Sequence, residues 1–219
     1  MSVELAFLAM LIATLIALPV GAISAMRRET WQDYSLRLFS IIGLSVPSFF
    51  VAELLIALPA IWWHWAPPGR GYVAFVDDPS VNLQQFLLPA AALGLAFSAG
   101  LMRITRSSFL EVLRQDYICT AYAKGLRVRS VISKHALKNT LIPVLTLFGV
   151  QLGAMLGGTV IVETIFRLPG LGQYTYNAIT QRDFPLLQAN VLIYAAGALL
   201  LNLLVDVSYS VLDPRIRYR

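Results

Sequence analysis

Hydrophobic residues follow one another in long runs along this chain, and shorter polar connections separate the runs. Five runs approach the roughly 20 residues that an α-helix needs to cross a bilayer core. They show no alternation of apolar and polar positions, which argues against half-buried β-strands. The pattern therefore predicts membrane-spanning helices, which cover residues 5–26, 38–63, 86–102, 141–162 and 186–205.

The composition supports the same class. Hydrophobic residues make up 58% of the 219 residues and charged residues 13%, which is too little polar surface for a soluble protein of this size. We therefore expect an all-α integral membrane protein of about five transmembrane helices. Residues 1–219 should form a single transmembrane domain.

The distribution of basic residues predicts the orientation of the spans. Lys and Arg near span ends resist translocation, so connections rich in them stay in the cytoplasm. The first and third connections and the C-terminal tail are basic, whereas the second and fourth balance Arg with acids. The basic segments and the C-terminus are therefore predicted inside. The N-terminus is then outside, and we expect a further span upstream of it.

The third connection, residues 103–138, is the most informative segment. It holds eight of the 17 Lys and Arg residues but only two acids. Ser108 and Glu111 fit a capping box that would begin a helix, and Gly125 follows Lys124 as a C-cap glycine would. An apolar stripe at helical spacing contains Leu110, Leu113, Tyr117 and Ala121. A second short helix is predicted over 130–138. Spacing alone leaves two interpretations equally open: a docking surface, or a solvated connector on anionic lipid.

Several segments resemble one family of transport proteins. The run DYICTAYAKGLRVRSVISKHALKNTLIP resembles the cytoplasmic loop of ABC-importer permeases of the dipeptide, oligopeptide and nickel class. The resemblance continues in MRITRSSFLEVL, VPSFF, FLLPAAALGL, ETIFRLPGLGQ and RDFPLLQANVL, and it covers nearly the whole chain. The final motif, NLLVDVSYSVLDPRIR, is more similar to the first of the two permeases that such importers pair.

The resemblance implies a coupling function for a loop of about residues 103–140. In the general family this loop starts with Glu-Ala-Ala, whereas Cys119-Thr120-Ala121 stands here. A role that needs that glutamate is therefore in doubt for this chain. The positions that carry the implied coupling to an ATP-binding subunit are Tyr117, Ala121, Lys124, Gly125 and Leu137.

The resemblance also implies partners and a mechanism. The chain would be a permease subunit of an ATP-driven, binding-protein-dependent importer in the bacterial inner membrane, and it would use alternating access. Its partners would be a second permease, two ATP-binding subunits and an external solute-binding protein. ATP and Mg would lie on the partners, because this chain has no G-x-x-x-x-G-K-[ST] phosphate loop. No catalytic, cofactor or metal residue is predicted in this chain.

Small and polar residues inside the spans are further candidates. Gly149, Gly153 and Gly157 form overlapping G-x-x-x-G steps, which allow close helix approach either to the partner permease or within the subunit. Gln151 faces the pathway or bonds a neighbouring helix. Glu53 is the one acid well inside a predicted span, where it contacts a substrate amine or another helix.

The segment after the fourth span predicts a tight external turn, formed by Pro169, Gly170 and Gly172 around Leu171. The family resemblance places this turn on the face that meets the binding protein.

Two other function classes have weaker support. An ion-coupled secondary transporter needs intramembrane acids, and Glu53 alone lies deep in a span. A membrane enzyme or metal site needs clustered ligands, whereas His64 and His135 lie on opposite sides of the membrane by this topology. The basic residues lie where topology requires them, so the charge does not call for a nucleic acid. The residues do not discriminate among dipeptides, longer peptides, glutathione-like solutes and nickel.

Overall fold

The computed structural model describes residues 1–65 and 72–212, and the regular secondary structure within them is helical. A π-helical segment, Val131–Ala136, joins the sixth and seventh helices. The helices are α1 (Ser2–Met26), α2 (Trp31–Ser45), α3 (Ser48–Trp63), α4 (Pro79–Leu113), α5 (Asp116–Ala123), α6 (Val128–Ser130), α7 (Leu137–Gly158), α8 (Val160–Ile165), α9 (Leu171–Gln181) and α10 (Phe184–Leu212).

Four continuous helical stretches of the described chain are long and apolar enough to cross a membrane, one of which runs through α6, the π-helical segment and α7. They are Ser2–Met26, Pro79–Leu113, Val128–Met155 and Phe184–Val205. The pair α2 and α3 makes a fifth candidate if the two helices count as one broken span. The prediction of an all-helical protein with about five spans is confirmed.

The second predicted span is not one helix, and this corrects the expectation for residues 38–63. Helices α2 and α3 meet at an angle of 100°. Pro47 stands at the N-cap of α3, and Val46 before it is extended, with φ −89° and ψ 122°. A residue that precedes proline is pushed out of the helical region, so α2 ends there. Hydropathy does not detect such a break because the sequence stays apolar through it.

The main hydrophobic core lies between α1, α4 and α7. Leu5 and Met10 of α1 pack with Phe86 and Leu101 of α4, and all four are at most 1% exposed. A Cβ at Gly94 would lie 2.8 Å from the carbonyl oxygen of Ala9, so only glycine permits this approach of α4 to α1. Helix α10 is largely exposed in the isolated chain. Its apolar side chains are therefore available to lipid or to a partner.

The basic third connection is more helical than predicted. Helix α4 continues through residues 103–113 without a break, so Ser108 lies inside it and is buried. The expected capping box therefore does not begin a new helix, because nothing between Met102 and Leu113 terminates the preceding one. The short helix predicted over 130–138 is also not separate. It belongs to a run that continues through the π-helical segment into α7.

Candidate functional site

The basic loop turns sharply at Gly125, where α5 ends. Gly125 has φ +73°, as expected from the C-cap pattern. The Gly125 amide donates to the Tyr122 carbonyl at 2.9 Å, and the Leu126 amide donates to the Ala121 carbonyl at 3.3 Å. These two bonds form a Schellman motif, which ends a helix and favours glycine at the left-handed position. The turn fixes the direction in which the chain leaves α5.

A second hydrophobic core holds the loop against the transmembrane helices. Ile118 and Ala121 of α5 pack with Phe109 of α4, Ala25 of α1 and Val131 of the π-helical segment, and all five are buried. Leu137 is partly buried against the same cluster. Movement of α5 would therefore be transmitted to the ends of α1 and α4, because packed side chains move together.

Two of the predicted coupling residues thus point into the chain. Ala121 is 6% exposed, and its small side chain fits the cluster around Phe109. Its size therefore serves packing within this protein, and its side chain does not lie on the outer face of α5. Leu137 has the same inward orientation. The remaining predicted residues, Tyr117, Lys124 and Gly125, are exposed.

Apolar as well as basic side chains of the loop are exposed. Tyr117, Tyr122, Leu126 and Val128 are 41% to 59% exposed, and we call them the loop patch. The hydroxyl of Tyr117 accepts a hydrogen bond of 2.7 Å from the Nδ2 of Asn139, which ties α5 to α7. Large apolar side chains exposed in a basic connection are candidates for an interaction site.

The loop patch has a cationic border. Lys124, Arg127 and Arg129 are exposed beside it, and none of them forms an ion pair within the described residues. An apolar centre with a charged rim is the usual arrangement of a protein–protein interface. The single cysteine, Cys119, is also exposed on α5.

An ion pair between a buried carboxylate and a half-buried arginine, near the start of the loop, was not predicted from the sequence. Arg106 of α4 donates through Nε and Nη2 to the two carboxylate oxygens of Asp33 on α2, each at 2.8 Å. The Ser24 hydroxyl donates to Asp33 at 2.6 Å, and the Glu29 amide donates at 3.2 Å. Asp33 is 1% exposed. The network joins α1, α2 and α4, although 73 residues separate the two charges along the chain.

The glycines on one face of α7 have different surroundings. A Cβ at Gly149 would lie 2.7 Å from a methyl carbon of Val205, so this glycine packs against α10 of the same chain. A Cβ at Gly153 would have no described atom within 4 Å. The environment of Gly157 lies outside the described residues. Packing within the subunit is therefore seen at Gly149, while Gly153 stays a candidate for contact with a partner.

The two polar side chains of the predicted spans differ in their surroundings. Gln151 lies against α4, where a Cβ at Gly100 would be 2.9 Å from its Nε2 atom. The Oε1 atom of Gln151 is buried and accepts no hydrogen bond from the described residues. Glu53 is exposed on α3. Its contact with a substrate or a second helix stays a prediction.

The predicted external turn is organised around a buried carboxylate. Glu163 of α8 is 1% exposed and accepts hydrogen bonds from the Thr159 hydroxyl at 2.9 Å, the Gly172 amide at 2.8 Å and the Gln173 amide at 3.2 Å. Two of these donors are amides in the first turn of α9, which have no partner within the helix. Glu163 therefore caps α9, although it lies nine and ten residues before these amides in the sequence.

The glycines of this turn are needed for close approach to that carboxylate. A Cβ at Gly170 would lie 2.5 Å from the Glu163 Cδ atom, and one at Gly172 would lie 2.6 Å from the Val160 Cα atom. Both glycines are buried and Pro169 is half-buried. Any contact with a binding protein would therefore come from neighbouring exposed residues.

Comparison with known families identifies the class of this membrane protein. The family model described as the binding-protein-dependent transport system inner membrane component matches residues 17–218. The chain belongs to this family, which confirms the resemblance seen in the loop and turn motifs.

Individual relatives within the family are similar to the chain over nearly its whole length. The chain is 41% identical over 236 residues to the dipeptide transport system permease protein DppB of Alkalihalophilus pseudofirmus, covering 99% of this chain and 71% of the relative. It is 38% identical over 240 residues to DppB of Escherichia coli K12, covering 100% of this chain and 71% of that protein.

Solved structures share the fold. An inward-facing structure of the MetNI methionine ABC transporter matches with a TM-score of 0.77 at 15% identity, covering 97% of this chain and 93% of that one. An amino acid ABC transporter matches with a TM-score of 0.68 at 17% identity, covering 94% of this chain and 88% of the other. At this level of identity the match concerns the fold alone.

Proposed function

We propose that this chain is a permease subunit of a peptide importer, and that the loop patch docks on an ATP-binding subunit. The observation that carries the docking proposal is the exposed apolar patch of Tyr117, Tyr122, Leu126 and Val128 in a connection rich in basic residues. The names of its relatives, dipeptide transport system permease proteins, support the peptide substrate class.

The orientation follows from charge. The loop patch lies in the connection that holds eight of the 17 basic residues, which favours the cytoplasmic side, where ATP is available. The C-terminal tail is basic and would lie on the same side. The turn around Glu163 then lies outside, at the face where an external solute-binding protein would dock.

The packing supports a mechanical mechanism. ATP-driven closure of two ATP-binding subunits would displace α5, and the second core would carry that displacement to Phe109 and Ala25. Helix α4 has 35 residues, so it extends about 50 Å at 1.5 Å per residue. A continuous helix of that length carries a displacement at one membrane face to the other. A second permease would supply the other half of the pathway.

Transport by the assembled importer tests this proposal. Proteoliposomes would contain ATP, and the binding protein and a radiolabelled dipeptide would be added outside. Uptake should require hydrolysable ATP and persist in the presence of an uncoupler. Uptake that an uncoupler abolishes would instead favour ion-coupled transport. Parallel assays with longer peptides and Ni²⁺ identify the solute class.

A matched pair of substitutions tests the loop patch. Tyr122→Ala should weaken retention of the ATP-binding subunit and reduce uptake, because it removes an exposed aromatic side chain from the proposed interface. Tyr176→Ala is the control for retention, since Tyr176 is a tyrosine of similar exposure (50% against 42%) on α9, away from the loop. Equal retention of the ATP-binding subunit in the two variants would show that the loop patch is not the docking surface.

A further inference from the structure

A cavity of about 310 Å³ lies between α2 and α4, beside the Asp33–Arg106 pair. Its lining combines arginine, serine and apolar side chains, and no carboxylate of the described residues belongs to it. The lining residues used below are Arg37, Ile41 and Leu44 of α2 with Met102, Arg103 and Arg106 of α4.

Two of the three arginines carry uncompensated charge. Arg106 is paired with the buried Asp33 carboxylate. Arg37 and Arg103 are both exposed, and neither forms an ion pair with the described residues. Arg37 lies 5.9 Å from the centre of the Tyr34 ring, a contact that leaves its hydrogen-bond donors available. The cavity therefore offers two guanidinium groups to an anion, and Arg binds phosphate well.

The cavity is also amphipathic along α2. Ile41 and Leu44 follow Arg37 by four and seven residues, so they continue the same face of the helix with apolar side chains. They are 59% and 48% exposed. The apolar run of α4 ends at Met102, immediately before Arg103. The cations and the apolar wall thus lie at successive positions along the cavity, as the headgroup and the acyl chain do along a phospholipid.

We infer that this cavity binds an anionic phospholipid of the cytoplasmic leaflet. The phosphate would lie between Arg37 and Arg103, and an acyl chain would cover Ile41, Leu44 and Met102. Basic pockets between membrane helices on the cytoplasmic side are suited to anionic headgroups. A free phosphate would satisfy the cations but leave the apolar wall uncovered, so charge and polarity together favour the lipid. The leaflet follows from the orientation proposed above.

Photo-labelling of the assembled importer in nanodiscs tests the inference. The nanodiscs would contain phosphatidylethanolamine with phosphatidylglycerol that carries a photoactivatable acyl chain. Label should map to α2 between Ile41 and Leu44, or to Met102. Each basic residue near an anionic surface changes binding about five-fold, so Arg37→Gln/Arg103→Gln should lower labelling about 25-fold per assembled complex.

Control variants separate the possible occupants. Arg28→Gln removes a cation of the same connection that pairs with Glu29, so labelling should not change. Leu44→Trp fills the apolar wall and keeps both arginines, so labelling should fall although the charge is unchanged. Loss of label in both cavity variants, with retention in Arg28→Gln, supports the lipid site.

Other outcomes overturn it. Equal labelling by a phosphatidylcholine probe would show that the headgroup charge is not recognised. Competition by millimolar inorganic phosphate would identify a simple anion site. Labelling that is the same in wild type and in the double arginine variant would place the lipid elsewhere. Absence of label together with a crosslink to another polypeptide segment would show that protein covers the cavity.

Discussion

The buried pair of Asp33 and Arg106 gives the sharpest quantitative prediction. The Asp33 carboxylate is 1% exposed and accepts two guanidinium hydrogen bonds of 2.8 Å. In Arg106→Leu the charge of Asp33 stays buried without its counter-ion. Loss of one partner of a buried pair costs about 3–5 kcal/mol, because the remaining charge is uncompensated. The Arg106 side chain is 22% exposed, and the Ser24 hydroxyl and the Glu29 amide still donate to Asp33. We therefore expect Arg106→Leu to lower the free energy of unfolding by an amount near the lower end of that range, about 3 kcal/mol.

The double variant distinguishes pair formation from simple packing. In Asp33→Leu/Arg106→Leu no charge is left buried, and replacement of a whole buried pair by apolar residues is often neutral. The double variant should therefore be more stable than Arg106→Leu alone. The free energy of unfolding would be measured by reversible SDS titration of the full chain in mixed micelles, for wild type, both single variants and the double variant.

The refuting result is additivity. Two residues that interact directly show a coupling energy of about 0.5–3 kcal/mol in such a cycle. If the changes in the free energy of unfolding caused by Asp33→Leu and Arg106→Leu simply add, the two side chains do not stabilise each other. The packing of α1, α2 and α4 would then not depend on this pair.

Three further predictions concern the turns and the glycine face. Gly125 has a left-handed backbone, so Gly125→Val should add about 1–2 kcal/mol of backbone strain and reduce uptake at normal membrane abundance. Gly125→Asn should keep most uptake, because asparagine tolerates this conformation. Equal uptake in both variants would show that the left-handed turn is not required. Gly149→Leu should lower chain abundance on immunoblots, whereas Gly153→Leu, which meets no described atom, should lower only co-purification of the second permease. Glu163→Gln should speed trypsin cleavage after Arg167, because the charge that holds the amides at the start of α9 is lost; an unchanged cleavage rate would contradict this capping role.

The sequence was sufficient to predict the spans because membrane insertion depends on local composition. Four of the five predicted runs lie within single helices or end within a few residues of one. The second run was misjudged because Pro47 changes backbone direction without changing hydropathy. The end of α4 was misjudged for the opposite reason: the pattern from Ser108 to Glu111 fits a helix start equally well inside a helix that is already formed.

The contents of the site were less predictable because they depend on contacts distant in sequence. Gly125 was predicted correctly because a C-cap glycine is a local signal. Glu163 adds only a charge to the sequence pattern, since nothing local shows that it reaches amides nine and ten residues away. Asp33 and Arg106 lie in different connections, and one sequence gives no indication that they pair. The inward orientation of Ala121 likewise depends on the position of Phe109.

Helix α1 connects the two ends of the molecule for which docking functions are proposed. At its beginning, the Ser2 hydroxyl accepts a hydrogen bond of 2.8 Å from the Leu171 amide in the Glu163-centred turn. Near its end, Ala25 belongs to the second core beneath α5. The 25 residues of α1 span about 37 Å as one helix. An alternating-access mechanism needs a structure that moves as a unit between the two membrane faces. Helix α1, packed along α4, meets that need, so substitutions at either contact should affect coupling more than insertion.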